Sequence, residues 1–225
     1  MVLPSPPVCY YGPMNGYELV VWDWNGTLLD DFWLGLEVAN GMLRRRGLQQ
    51  MDETRYRAIF DFPVSEYYRI AGFDFDREPF PILADEFITE YNERVRECSL
   101  HAAASEILSE LNSRGVRQVV LSASRQKALD EALEHYGILH HFETVQGLDD
   151  HFAVSKVSAG RDLLDGMDVD RTAAVMVGDT THDYDVAREL GIESVLISAG
   201  HQSSDRLEAT GAPVYSSLQA FRGAT

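Results

Sequence analysis

Residues 20–28 read Val-Val-Trp-Asp-Trp-Asn-Gly-Thr-Leu, a short apolar run that stops at a carboxylate and then turns through Asn25-Gly26 into Thr27. The pattern predicts a buried strand that delivers Asp23 to the edge of a sheet, followed at once by a loop whose backbone N–H groups are free to hold an anion. A carboxylate so placed suits nucleophilic attack on phosphorus. Three later runs share the short β-branched character of the first: Val116–Leu121, Ala173–Val177 and Ser194–Ile197. Helical patterns at Ala103–Arg114, Gln126–His135 and Asp183–Leu190 alternate with them. Strands that alternate with helices pair in parallel through crossovers, which predicts an α/β fold with a doubly wound, Rossmann-like parallel sheet. Ligands bind such sheets at the carboxyl ends of the strands.

The segment from Asp31 to Cys98 breaks that rhythm. Its periodicity is helical in Phe32–Arg46, Thr54–Phe60, Val64–Ala71 and Ile82–Cys98, without a convincing strand, so it reads as an all-helical insertion after the first strand. The expected organisation is therefore a core of residues 1–30 and 99–225 with a helical cap domain of residues 31–98, residues 1–16 forming an irregular Pro-, Tyr- and Gly-rich arm.

Composition narrows the function. Thirty-six acidic against nineteen basic residues give a formal charge of −17, which disfavours a nucleic-acid partner and leaves any phosphorylated ligand in need of a local cation. Cys9 and Cys98 are the only cysteines and lack metal-ligand spacing; a reducing, cytoplasmic setting fits them. No apolar run of membrane-spanning length is present, so no membrane partner is expected.

Three further elements sit where strand ends meet helix starts. The strand Gln118–Leu121 runs into Ser122-Ala123-Ser124, a hydroxyl among successive amides that can hold a phosphoryl oxygen. Lys156 opens another helical pattern and can neutralise a nucleophilic carboxylate and a transferring phosphoryl group. Val175-Met176-Val177-Gly178-Asp179 is followed by Asp183 on the first helical turn, an oxygen donor set suited to Mg²⁺. Taken singly, the serine reads as a turn residue, the lysine as a surface cation and Asp183 as a first-turn acid favoured by the helix dipole.

Together and in this order, the four elements resemble the motifs of the haloacid dehalogenase superfamily across about Val20 to Ala199, and the insertion resembles the helical cap of its phosphoglycolate phosphatase-like members. The resemblance implies a Mg²⁺-dependent phosphatase of a small phosphorylated metabolite. Asp23 would be the nucleophile that carries the phosphoryl group, Ser122, Ala123 and the backbone of Trp24 and Asn25 would bind it, and Lys156 would offset its charge. Mg²⁺ would be held by Asp23, Asp179 and the backbone carbonyl of Asn25, with Asp183 in support. The chain departs from the family pattern at position 25, where the general acid and base, an Asp, is replaced by Asn25. An amide cannot shuttle a proton, a function typically worth about 10²–10⁴-fold.

Several explanations stand open for Asn25: a substrate with a good leaving group, a substitute proton carrier for which His182 is the nearest imidazole, an introduced substitution, or deamidation of the Asn25-Gly26 bond. Phosphonoacetaldehyde hydrolases also tolerate a non-acidic residue here but use a cap lysine, whereas this chain has only Lys127 and Lys156. The 2-haloacid dehalogenases lack the full acidic fourth motif that Asp179 and Asp183 retain. Substrate contacts are expected from the cap, with Arg57, Phe62, Pro63, Tyr67 and Arg69 as candidates near Asp61-Phe62-Pro63. Trp22 reads as core and Trp24 as a residue at the mouth of the site. Arg44-Arg45-Arg46 before Gly47 reads as cations at a helix C-terminus. The alternative function is a catalytically weakened phosphate-binding or regulatory protein, and the assembly is expected to be a monomer or homodimer.

Overall fold

The computed structural model describes residues 16–148 and 156–224. Six parallel strands form the central sheet in the order β5-β4-β1-β6-β7-β8, with β1 at Leu19–Trp22, β4 at Arg117–Arg125, β5 at Thr144–Leu148, β6 at Ala174–Gly178, β7 at Glu193–Ile197 and β8 at Val214–Tyr215. The α/β, Rossmann-like class read from the strand and helix alternation is the class observed. β5 and β8 had no counterpart in that reading, because Thr144–Leu148 carries Gln146 and Gly147 within an otherwise apolar run and β8 spans two residues.

β1 lies between β4 and β6, so the chain reverses its direction of travel across the sheet there. That reversal is the switch point beside which open α/β sheets bind ligands. The strand's alternation decides which layer each residue joins. Val20 and Trp22 enter one apolar cluster and Leu19 and Val21 the other, all fully buried. Trp22 is core, as expected, and its indole N–H donates to the Gln118 side chain at 3.0 Å.

A two-stranded antiparallel ribbon, β2 (Leu29–Asp30) with β3 (Ser99–Leu100), brackets the helical stretch. Between them lie α1 (Phe32–Arg45), α2 (Glu53–Ile59), α3 (Val64–Ala71) and α4 (Phe80–Arg94). α4 begins two residues earlier than its periodicity suggested because Pro81 falls in the first turn, where a missing N–H is harmless. It ends at Arg94 in a 3₁₀ turn, Val95–Glu97, in place of continuing to Cys98. Arg45 and Arg46 do more than decorate the α1 C-terminus. Arg45 pairs with Glu86 and Glu90, and Arg46 with Glu78 at 2.7 Å and Glu86 at 2.5 Å, tying α1 to α4 and to the turn before it.

The remaining helices are α5 (Ala104–Ser113), α6 (Gln126–His135), α7 (Lys156–Asp165), α8 (Thr181–Leu190), α9 (Ser204–Glu208) and α10 (Leu218–Ala224). Among the described residues no helix is long and apolar enough to cross a membrane. The expected irregular arm falls almost wholly outside the described residues, as does Cys9; Cys98 is a buried free thiol.

Candidate active site

The carboxyl ends of β1, β4 and β6 and the first residue of α7 converge on one cavity of about 80 Å³, lined by Asp23, Asn25, Ser122, Ala123, Lys156, Asp179, Thr180, His182 and Asp183 together with Phe60, Phe62 and His201. Asp23 is the residue after β1, held there because its backbone N–H donates to Val177 of β6. The pairing of β4 with β5 shifts register between Leu121 and Arg125, so the Ser122–Ser124 stretch leaves the regular ladder just where amides are needed. Ser122 is 1% exposed, and its hydroxyl oxygen accepts from the Ser124 N–H.

Lys156 is buried between two carboxylates, paired with Asp23 and, at 2.6 Å, with Asp183. Burial alone would lower its pKa, but Asp183 and Asp23 outweigh burial and hold the ammonium charged. Asp183 uses both oxygens: Oδ1 takes Lys156, and Oδ2 accepts the Thr180 hydroxyl at 2.7 Å and the Thr180 N–H at 3.0 Å, closing a capping box at the start of α8. Burial pushes its pKa up, yet Lys156 and the Thr180 hydrogen bond prevail and keep it low. Asp23 goes the other way, to about 6, because its burial exceeds the help from Lys156 and Asp183 adds repulsion.

Asp179 is walled in by glycine. A Cβ at Gly26 or at Gly200 would overlap its carboxylate, and Gly26 also adopts a φ of +75°. Thr27 spans the site, its hydroxyl 3.2 Å from both Asp23 Oδ2 and Asp179 Oδ1. Buried among acids, Asp179 is pushed up to about 8 by its burial, against His201 and with Asp23 and Asp183 adding to the rise.

Ligand atoms of Asp23, Asp179 and Asp183 lie within 4.8 Å of one another. The buried charges are four carboxylates, on Asp23, Asp31, Asp179 and Asp183, against Lys156 and the imidazole of His201. Among the described residues, with all four carboxylates ionised and His201 protonated, two negative charges are left over; the raised pKa values of Asp179 and Asp23 reflect that surplus, which a divalent cation would relieve. An all-oxygen donor set of this kind fits Mg²⁺.

Asn25 is fixed by its neighbours. Its amide N–H₂ donates to Asp31 Oδ2 and to the Tyr91 hydroxyl, both at 2.8 Å, and its carbonyl accepts the Ser124 hydroxyl at 2.8 Å. Asp31 also accepts the Tyr91 hydroxyl at 2.6 Å and the Gly26 N–H at 2.7 Å, and faces His201 Nε2 at 3.3 Å. An acceptor-only carboxylate at Asp31 is matched by the amide donor at position 25.

Asp31, Tyr91 and His201 were not singled out in the sequence. His201 follows β7 through Ser-Ala-Gly, and the strand-end rule could have found it. Burial depresses the His201 pKa, but Asp31, Asp179 and Asp23 lift it to about 9. Its Nδ1 meets the Tyr56 hydroxyl at 2.9 Å, and its backbone N–H donates to Asp179 at 2.6 Å.

Of the five cap candidates, only Phe62 lines the cavity, and Pro63 beside it does not; Phe62 stacks on His182 with ring centroids 4.7 Å apart. Arg57 lies over the Phe32 ring at 4.0 Å and donates to the Ser198 and Ala199 carbonyls, away from the cavity wall. Tyr67 is buried among Tyr56, Phe60 and Tyr68. Arg69 is exposed over Phe75 and pairs with Glu66. Long cations on these helices find nearer partners than the site, and no sequence pattern distinguishes the two outcomes. Trp24 is buried against Tyr136 and is not part of the wall, so the expectation for its ring is corrected.

The model of the haloacid dehalogenase-like hydrolases matches residues 20–197, which is most of the chain and contains every motif residue described above. The chain belongs to the haloacid dehalogenase-like hydrolases. Among its relatives, a phosphoglycolate phosphatase of Caulobacter vibrioides is 28% identical over 217 residues, covering 88% of this chain and 86% of that one. The tyrosine-protein kinase PtkA of Mycobacterium tuberculosis is 28% identical over 204 residues, covering 90% and 69%. A crystal structure of a predicted phosphatase from Clostridium acetobutylicum superposes with a TM-score of 0.76 at 20% identity, covering 90% and 95%, and speaks for the fold.

Proposed function

We propose that this hydrolase is a Mg²⁺-dependent phosphatase of a small phosphorylated metabolite and that Asp23 is its nucleophile. The observation that carries the reading is the convergence of Asp23, Ser122, Lys156 and Asp179 on a single buried cavity. An Asp23 oxygen forms a bond to phosphorus as the ester P–O bond breaks, and the electron pair leaves on the substrate oxygen. Water then attacks the aspartyl-phosphate, releasing inorganic phosphate and restoring Asp23.

Lys156 offsets charge on Asp23 and on the equatorial phosphoryl oxygens, while Ser122, already accepting from Ser124, keeps its own proton for a phosphoryl oxygen. Thr27 holds Asp23 and Asp179 in mutual orientation. Mg²⁺, bound through Asp23, Asp179 and the carbonyl of Asn25 with Asp183 behind them, would supply the positive charge that the buried acids and the phosphoryl group lack. Asn25 binds by its backbone and orients Ser124 but moves no proton. Residues 31–98 act as the cap, with the turn between α2 and α3 excluding water from the reaction.

The tyrosine-protein kinase relatives suggest a second reading, transfer of the phosphoryl group to an acceptor other than water. The phosphatase relatives favour hydrolysis over transfer. A weakened binding protein is the remaining alternative. Phosphate release from a panel of esters tests all three: turnover that needs Mg²⁺ and vanishes in Asp23→Ala is expected. Tight binding of inorganic phosphate without turnover of any ester would support the binding protein instead.

A further inference from the structure

The wall opposite the phosphoryl cradle is aromatic. Phe60 and Phe62, from the turn that joins α2 to α3, stack on His201 and His182 with ring centroids 4.9 and 4.7 Å apart and interplanar angles of 29°. That turn is held firmly. The Phe60 carbonyl accepts from Gln202 at 2.9 Å and Arg206 at 2.6 Å, and Asp61 pairs with Arg206 at 2.7 Å. The cavity measures about 80 Å³, room for about six waters on a scale where one takes about 10–15 Å³. Phe60 and Phe62 line the same cavity as Asp23, so the leaving group of a phosphoryl ester seated at Asp23 meets the two phenyl rings.

Charge in this wall is already committed. Among the described lining residues Lys156 is the only Lys or Arg, and it is engaged by Asp23 and Asp183. Both ring nitrogens of His201 face partners, Tyr56 and Asp31. Residues 1–15, 149–155 and 225 contain neither Lys nor Arg, so they cannot add one. A leaving group carrying a carboxylate would find no uncommitted Lys or Arg here, only the His182 ring stacked on Phe62, in a chain whose net charge is already −17.

The amide at position 25 points the same way. With the Asn25 amide spent on Asp31, Tyr91 and Ser124, the residue that faces the leaving oxygen in the family pattern has nothing to donate. A departing alkoxide without acid help must carry its charge as a base about as strong as hydroxide. A phenoxide is a weaker base, its conjugate acid having a pKa of about 10. An aryl ester therefore loses far less than an alkyl ester when general acid catalysis, typically worth about 10²–10⁴-fold, is missing.

We propose that the substrate is an aryl phosphate monoester, whose ring lies against Phe60 and Phe62 and whose phenoxide leaves unprotonated; this rests on the phosphatase reading above. Asp23 forms the O–P bond, the aryl O–P bond breaks with its electron pair on the phenoxide, and that oxygen takes a proton from solvent. Water hydrolyses the aspartyl-phosphate as before.

The test compares kcat/KM of the full chain, with Mg²⁺, for phenyl phosphate, 2-phosphoglycolate and acetyl phosphate, the last having a good leaving group without a ring. Phenyl phosphate is expected to exceed phosphoglycolate by at least about 100-fold. In Phe62→Ala the ratio of phenyl to acetyl phosphate should fall about tenfold, mainly through KM, as the loss of a ring contact would produce. Phe62→Leu, which keeps apolar bulk, should lower the same ratio and guards against misfolding. Phosphoglycolate turned over as fast as phenyl phosphate, or a ratio unmoved by both Phe62 variants, overturns the aryl assignment and leaves the phosphatase reading standing. Failure to hydrolyse any of the three, acetyl phosphate included, overturns the phosphatase reading itself.

Discussion

Replacing Asn25 with the family's usual acid, Asn25→Asp, should weaken this protein. In the native site the amide nitrogen is 2.8 Å from Asp31 Oδ2 and from the Tyr91 hydroxyl, and Asp31 is 1% exposed. A carboxylate in the same rotamer puts two anionic oxygens at that separation. At an effective dielectric of about 20, unit charges 2.8 Å apart repel by about 6 kcal/mol. Proton uptake, a rotamer change and the nearby His201 imidazole relieve part of this, leaving an expected loss of about 3 kcal/mol in unfolding free energy at pH 8 without Mg²⁺. Urea unfolding measures it. Adding Asp31→Asn exchanges the amide and the carboxylate and restores a donor between them, so the double variant should be more stable than the sum of the single effects by about 2 kcal/mol. A loss below about 0.5 kcal/mol for Asn25→Asp, or strict additivity in the cycle, would refute the view that the pocket is built around an amide.

Three other outcomes follow from the same geometry. Mg²⁺ at 100 times its dissociation constant should raise the unfolding free energy by about 2.7 kcal/mol, and Asp179→Asn should abolish that gain in a thermal melt; an unchanged gain would remove Asp179 from the metal set. Lys156→Met strands Asp23 and Asp183 in a buried site and should lower stability by about 3–5 kcal/mol in denaturant titration, and a loss under about 1 kcal/mol would mean that water enters there freely. Gly26→Ala combines a φ of +75° with overlap on Asp179 and His201, so it should cost at least about 2 kcal/mol and also suppress Mg²⁺ stabilisation, read by calorimetry with and without the ion.

The parallel α/β class was legible in the chain because β1, β4, β6 and β7 are short apolar runs separated by amphipathic helices, a pattern that burial on both faces imposes locally. Asp23, Ser122 and Asp179 were legible for a related reason, since each sits in or just after the last residues of its strand and a parallel sheet gathers such ends on one side. Lys156 and Asp183 were legible as helix-start residues. The split of roles inside Asp183, one oxygen for Lys156 and one for the α8 cap, was not, because both the functional and the capping reading use the same position.

What the order of residues determined by itself is the set of groups that reach the mouth of the sheet, since strand ends and helix starts are local properties of the chain. What the tertiary structure decided is how those groups are surrounded. Asp31 and Tyr91 come from separate stretches to hold the Asn25 amide, and His201 comes from a third to face Asp31. Phe60 and Phe62 reach the cavity, whereas Arg57, Tyr67 and Arg69, on the neighbouring helices α2 and α3, do not. The physical reason is that hydrogen bonds and ring contacts between distant segments depend on side-chain positions within a few tenths of an ångström, and no periodicity along the chain encodes them.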